Sequence, residues 1–138
     1  MGTRSAIGIL EGDTCKAVYC HWDGYLAHNG KILYHHYKDP EKLARLINYG
    51  FISSLGPEIG EKHDFNTRVE GVCTFYGRDR GETGVDPVTV DSAEQLFKEF
   101  DWCEYFYVMK DSVWYVSDSF GSPWQRLDTA LIMDKLEE

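Results

Sequence analysis

The chain has no apolar run near the ~18 residues that a membrane-spanning helix needs. The short run after Met1-Gly2-Thr3-Arg4 is broken by Glu11 and Asp13, so neither a membrane span nor a secretory leader is expected. Cysteine is sparse. Cys15, Cys20, Cys73 and Cys103 form no C-x-x-C pair, which removes the usual zinc pattern, and without a leader they are expected to be reduced, buried thiols. Positive charge is also short: 14 Lys and Arg stand against 23 Asp and Glu, a net charge of −9. Duplex nucleic acid is bound by several cations on one face, so bulk nucleic acid and anionic membrane surfaces are not expected partners. A small anion remains open, because a pocket needs only two or three well-placed cations. The Walker motif, G-x-G-x-x-G, the nucleophile elbow and H-E-x-x-H are all missing. Linkers, repeats and low-complexity stretches are missing too.

What is present is apolar and aromatic. Apolar residues make up 43% and aromatics 14%, with 4 Trp, 9 Tyr and 7 Phe, too much for a disordered chain. A length of 138 residues suits a single domain over 1–138 with a self-sufficient core. Ile7 and Ile9 put a strand over Arg4 to Leu10, and Glu11-Gly12-Asp13-Thr14 turns it into a return strand from Cys15 to Trp22. A helix is expected over Lys31 to Tyr37. Asp39 as N-cap, Pro40 at N1, Leu43, Leu46 and Ile47 on one face and Gly50 past the end predict a second. Phe51 to Gly56 reads as a turn and Gly60 to Glu70 as loop. Val72 to Tyr76 reads as a strand, and Gly77 to Pro87 as a glycine-rich loop. A helix starting near Asp91 buries Leu96, Phe97 and Phe100. Cys103 to Met109 and Val113 to Ser117 make a second hairpin, and a capping box at Ser122 opens a last helix with Leu127, Ala130, Leu131 and Leu136 inside. The order ββ-αα-β-α-ββ-α predicts an α+β fold. Its sheet is expected to be antiparallel, built from two hairpins plus one strand, with the helices packed on one face.

Three segments carry candidate chemistry. Thr3, Arg4 and Ser5 offer hydroxyls and a guanidinium to a phosphate. His21, Trp22, Asp23 and Tyr25 gather an imidazole, two stacking rings and a carboxylate at a strand end. There His21 and Asp23, two apart, would share a face and could pair as a general base and its orienting acid. Tyr76, Arg78 and Arg80 sit in Y-G-R-D-R-G-E, two arginines beside glycines after a strand, which is how backbone and guanidinium reach phosphate together. The histidines His28, His35, His36 and His63 have no ligand spacing, so no metal and no cofactor are expected. The second hairpin has one charge in its first strand, Glu104, and none in its second. This apolar ribbon, with Trp114 and Tyr115, points to a homo-oligomer, most simply a dimer.

The strings MGTRSAIGI, YCHWDGY, ISSLG and FYGRDRGE together resemble a family of small, uncharacterised proteins encoded by phages and prophages. The likeness covers most of the chain and fades after about Val113. It implies no reaction and no catalytic residues, only a setting: the bacterial cytoplasm during infection. In that setting the expected function is sequestration of a small phosphate-bearing immune signal, a cyclic or ADP-ribose-type nucleotide, without cleavage. The alternatives are an enzyme that degrades such a nucleotide with His21 as general base, and an acidic protein-binding inhibitor of a host defence protein.

Overall fold

In a computed structural model, residues 3–67, 69–118 and 123–137 are described, with side chains to residue 134. Eight strands, β1 (Ser5–Glu11), β2 (Thr14–Cys20), β3 (Ile52–Ser54), β4 (Thr74–Phe75), β5 (Val88–Val90), β6 (Tyr105–Lys110), β7 (Val113–Asp118) and β8 (Gln125–Arg126), form one sheet. Its order is β4-β3-β2-β1-β6-β7-β8, and β5 pairs with the first half of β2. The helices are α1 (Lys31–His36), α2 (Pro40–Asn48), α3 (Tyr76–Arg80), α4 (Leu96–Glu99) and α5 (Leu127–Glu137). This is an α+β fold with both expected hairpins, β1-β2 and β6-β7.

The sheet is mixed rather than antiparallel. β1 runs parallel to β6 because the two locally closed hairpins lie side by side through their first strands, and β2 runs parallel to β3 because α1 and α2 cross over between them. The central strand β1 is buried from Ser5 to Ile9 on both of its sides. Such a strand reads as a continuous apolar run and needs cover above and below. One face sets Ile7, Ile9, Val18, Tyr107, Met109 and Trp114 against α1, α2 and α5. The other sets Ala6, Cys15, Ala17, Phe106 and Val108 against Leu96 and Phe100. The helices therefore lie on both faces, α4 opposite α1, α2 and α5.

The expected turn at Phe51 to Gly56 is strand β3, and the Gly77 to Pro87 loop opens as the one-turn helix α3. The second hairpin is not an exposed ribbon. β6 lies inside the sheet, β7 is covered by β8, and Phe106, Tyr107, Val108, Met109, Trp114 and Val116 are all buried. The expected Ser122 capping box and the side chain of Leu136 fall outside the described residues. Among the described residues, no helix is long and apolar enough to cross a membrane.

α2 follows its sequence signals closely. The Asp39 carboxylate accepts the Glu41 amide at 3.0 Å, Leu43, Leu46 and Ile47 are buried, and Gly50 ends the helix at φ +85. A Cβ on Gly50 would lie 2.3 Å from the Val85 carbonyl oxygen, so both the backbone angle and the space require glycine. Asp39→Ala is expected to lower unfolding stability by about 1 kcal/mol and Asp39→Asn to leave it nearly unchanged, as read by urea denaturation.

Candidate functional site

The two N-terminal motifs meet where β2 ends. Past Cys20 the chain stays alongside β3, His21 N bonding Ile52 O and Trp22 N bonding Ser53 O, both at 3.0 Å. It then turns at Asp23, whose φ is +58, and passes so close to β1 that a Cβ on Gly24 would sit 2.8 Å from the Thr3 carbonyl oxygen and from Ser5 Cβ. Gly24 N donates to Thr3 O at 2.7 Å, and the buried Tyr107 hydroxyl donates to Gly24 O at 2.6 Å. The fully buried Asn29 closes the knot. Its amide nitrogen donates to Ser5 Oγ at 3.4 Å and Trp22 O at 3.2 Å, and its backbone N–H bonds Asp23 O at 3.1 Å. Thr3 thus gives its backbone carbonyl, and Ser5 its hydroxyl, to the fold. The sequence does not reveal these roles of Asn29 and Tyr107, because an amide or phenol gives no sign of a partner tens of residues away.

His21 has a different partner from the one its spacing suggested. Its Nδ1 lies 2.5 Å from the Tyr19 hydroxyl, and its ring stands edge-on to Trp22 with centroids 4.7 Å apart. Asp23 leaves the strand direction with its positive φ, so no His21–Asp23 dyad forms. Burial first, and the nearby Arg4 guanidinium second, hold the His21 imidazole below its usual 6.5. Arg4 makes no side-chain hydrogen bond or ion pair with any described residue. Tyr25 is exposed and its ring lies 6.1 Å from that of His28.

The arginines of Y-G-R-D-R-G-E divide sharply. Arg78 is a strut: Nη1 donates to Ile59 O at 3.0 Å and Gly60 O at 2.9 Å, Nη2 to Cys73 O at 2.9 Å, and Nε to Asp79 Oδ1 at 3.0 Å. The guanidinium also lies 4.6 Å from the Phe75 ring centre. Asp79, with no exposed side-chain surface, further accepts Phe75 N at 2.8 Å and His63 N at 3.0 Å. Burial alone would raise its carboxyl. The Arg78 bond and the two backbone amides outweigh that and hold it below the usual 3.8. Arg80 is half exposed, pairs with Glu82 at 2.8 Å and stacks on Phe65 at 4.5 Å and Tyr76 at 5.0 Å.

Between these parts lies a cleft of about 640 Å³. Trp22, Asp23 and His28 line it from the β2 end, and the 53–57 segment, Phe65 and the 69–72 segment from the other side. Trp22 and Asp23 are therefore wall residues, Arg80 and Tyr76 lie outside the lining but stack on the wall residue Phe65, and His21 packs edge-on to Trp22. Arg78, Thr3 and Ser5 belong to the framework. All four cysteines are buried and free, and burial pushes Cys15 and Cys20 up to about 12, so they remain protonated thiols. Among the described residues no three His, Cys, Asp or Glu side chains gather around a point that would hold a metal ion. No protein-family description, curated protein or solved structure matches this chain.

The strut has a readable pH dependence. Arg78→Ala leaves the Asp79 carboxylate buried beside apolar rings and is expected to cost about 3–5 kcal/mol of stability at pH 7. Because the folded carboxyl titrates below its unfolded value, its contribution is complete above about pH 4 and is lost as pH falls through the lower folded value. The stability gap between wild type and Asp79→Asn, from urea melts at successive pH values, should be constant above about pH 5 and shrink below about pH 4.

Proposed function

We propose that the chain binds a small phosphate-bearing nucleotide in the Trp22–Phe65 cleft and holds it without cleaving it. The observation that carries this reading is a cavity lined by Trp22 and Asp23 of the HWDGY turn and by Phe65, on which Arg80 of Y-G-R-D-R-G-E stacks from outside the lining. A volume of about 640 Å³ falls in the range of small-ligand pockets. Trp22, 43% exposed, offers a face for a base, and Asp23 accepts hydrogen bonds from a sugar hydroxyl or a base edge. Arg80 exchanges an exposed carboxylate partner for phosphate at little cost, since exposed ion pairs contribute little. Retention without cleavage is supported by a His21 that lacks a carboxylate partner and by thiols that stay protonated. The resemblance to phage and prophage proteins supports an immune signal of the bacterial host, in its cytoplasm, as the ligand.

Titration calorimetry against cyclic dinucleotides and ADP-ribose derivatives tests the reading. Trp22→Ala is expected to weaken binding about fivefold to a hundredfold, the worth of one stacked base, and Arg80→Ala by about tenfold or more. Heat-denatured complex should release intact ligand on chromatography. Wild-type affinity in both variants would return the cleft to a passive groove, and steady product formation that disappears in His21→Ala would make the protein an enzyme.

A homo-oligomer can no longer rest on the second hairpin. The apolar surface left for it includes the exposed Ile132 and Met133 of α5. Light scattering at micromolar concentration should read twice the 15.9 kDa chain mass if that surface pairs, and Ile132→Asp should return it to one chain mass.

A further inference from the structure

A second concavity, about 420 Å³, opens between α2 and residues 58–60. It shares the 56–60 segment with the Trp22–Phe65 cleft but none of its lining residues. Its lining carries Lys42 and Arg45 against one carboxylate, Glu58. Asn48, also in the lining, accepts a hydrogen bond at 2.6 Å from Lys16 Nζ of β2, which itself lies outside the lining. In a chain of net charge −9 this is a local reversal of sign.

The two wall cations are prepared differently. Lys42 is fixed: its ammonium donates to Pro57 O at 2.8 Å, lies 4.5 Å from the Tyr37 ring centre and stands 3.5 Å from Glu58, whose side chain is 70% exposed. Arg45, one turn further along α2, is exposed and has no hydrogen bond or ion pair with any described residue, so its whole donor fork is open. Residues three apart on a helix present neighbouring side chains, so the fork and the ammonium serve one ligand group. Beside them Tyr49 is 47% exposed, with Phe75 and the Arg78 guanidinium at 5.1 and 5.5 Å from its ring. A multiply charged, multi-oxygen anion is what a guanidinium fork plus a fixed ammonium recognises.

We infer that this groove is a second ligand site, independent of the Trp22–Phe65 cleft, in which Arg45 and Lys42 bind a phosphate or diphosphate group. The group is supplied either as the free anion or on a nucleotide whose base lies on Tyr49.

Calorimetry at low ionic strength with inorganic pyrophosphate and with ADP tests it. Wild type should bind pyrophosphate, with affinity falling as salt is added. Arg45→Ala should weaken it about tenfold to a hundredfold while the melting temperature stays within a few degrees, and Trp22→Ala should leave it unchanged. ADP binding more tightly than pyrophosphate, with the excess lost in Tyr49→Ala, identifies the nucleotide as the source of the phosphate. Equal affinities identify the free anion. Absence of pyrophosphate binding at millimolar concentration, wild-type affinity in Arg45→Ala, or an equal loss in Trp22→Ala would each overturn the site. Loss of nucleotide binding in Trp22→Ala with pyrophosphate binding intact separates the two clefts, so either assignment can fail without the other.

Discussion

A buried primary amide has to be answered by partners on all sides, and at Asn29 three stretches of chain meet. Ser5 comes from the first strand, Trp22 and Asp23 from the turn that follows β2, and the amide itself from the entrance to α1. Tyr107 adds the fourth stretch through Gly24. An unpaired polar group at such depth costs about 1–3 kcal/mol, so each partner is held in place by the cost of losing the others. The path of the HWDGY turn follows from this. Trp22 and Asp23 face the cleft because the backbone behind them is tied down on the opposite side, and Gly24 is glycine because β1 leaves no room for a Cβ.

Arg78 shows why an arginine in a glycine-bearing segment is ambiguous from sequence. The planar fork that makes arginine a good phosphate ligand suits backbone carbonyls and a buried carboxylate equally well. Here the fork takes three carbonyls and Asp79, and so ties Ile59, Gly60 and Cys73 together. Arg80, two residues on, projects the other way and keeps half of its side chain in solvent. The sequence separates the two only through the one-turn helix α3, which the two glycines of Y-G-R-D-R-G had argued against. Gly77 is tolerated inside the turn, and Gly81 ends it in a left-handed conformation.

The legible parts of the fold were those set by near neighbours. Both hairpins and the N-cap of α2 with its buried stripe depend on residues within about fifteen positions of one another, and the β4 segment carries its own run of β formers. The parallel pairing of β1 with β6 joins residues 100 apart, Ser5 to Tyr105, and has no local signature. β3 escaped because Ile52-Ser53-Ser54 has weak strand propensity and gains its order from β2. β5 carried the signal Val-Thr-Val, hidden between a polar loop and a capping motif. At the site, residues chosen for type were gathered at one end of the sheet, but type did not tell framework from wall. Ser5 and Arg78 turn inward and Thr3 serves through its backbone carbonyl, whereas Trp22, Asp23 and Arg80 keep exposed surface. Phe65, Lys42 and Arg45 were passed over because a loop phenylalanine and two helix cations have ordinary uses everywhere.

The segment from Gly56 to Gly60 has no strand or helix of its own, yet it walls both concavities. Its order comes from side chains that grip its backbone. Tyr37 donates to Gly56 O, Lys42 to Pro57 O, and Arg78 to Ile59 O and Gly60 O, while Glu58 exchanges backbone bonds with Gly71 and Cys73. Anchors at all five residues of the segment leave little backbone entropy to be lost on binding. Both concavities are therefore preorganised by one set of bonds, and recognition at either is left to the side chains at its rim. Those rims differ in charge: carboxylates and aromatic rings on the Trp22 side, lysine and arginine on the α2 side. A cation held within the framework, Arg78, sets the shape, and the exposed cations Arg80 and Arg45 are the ones to which the proposed sites assign an anion.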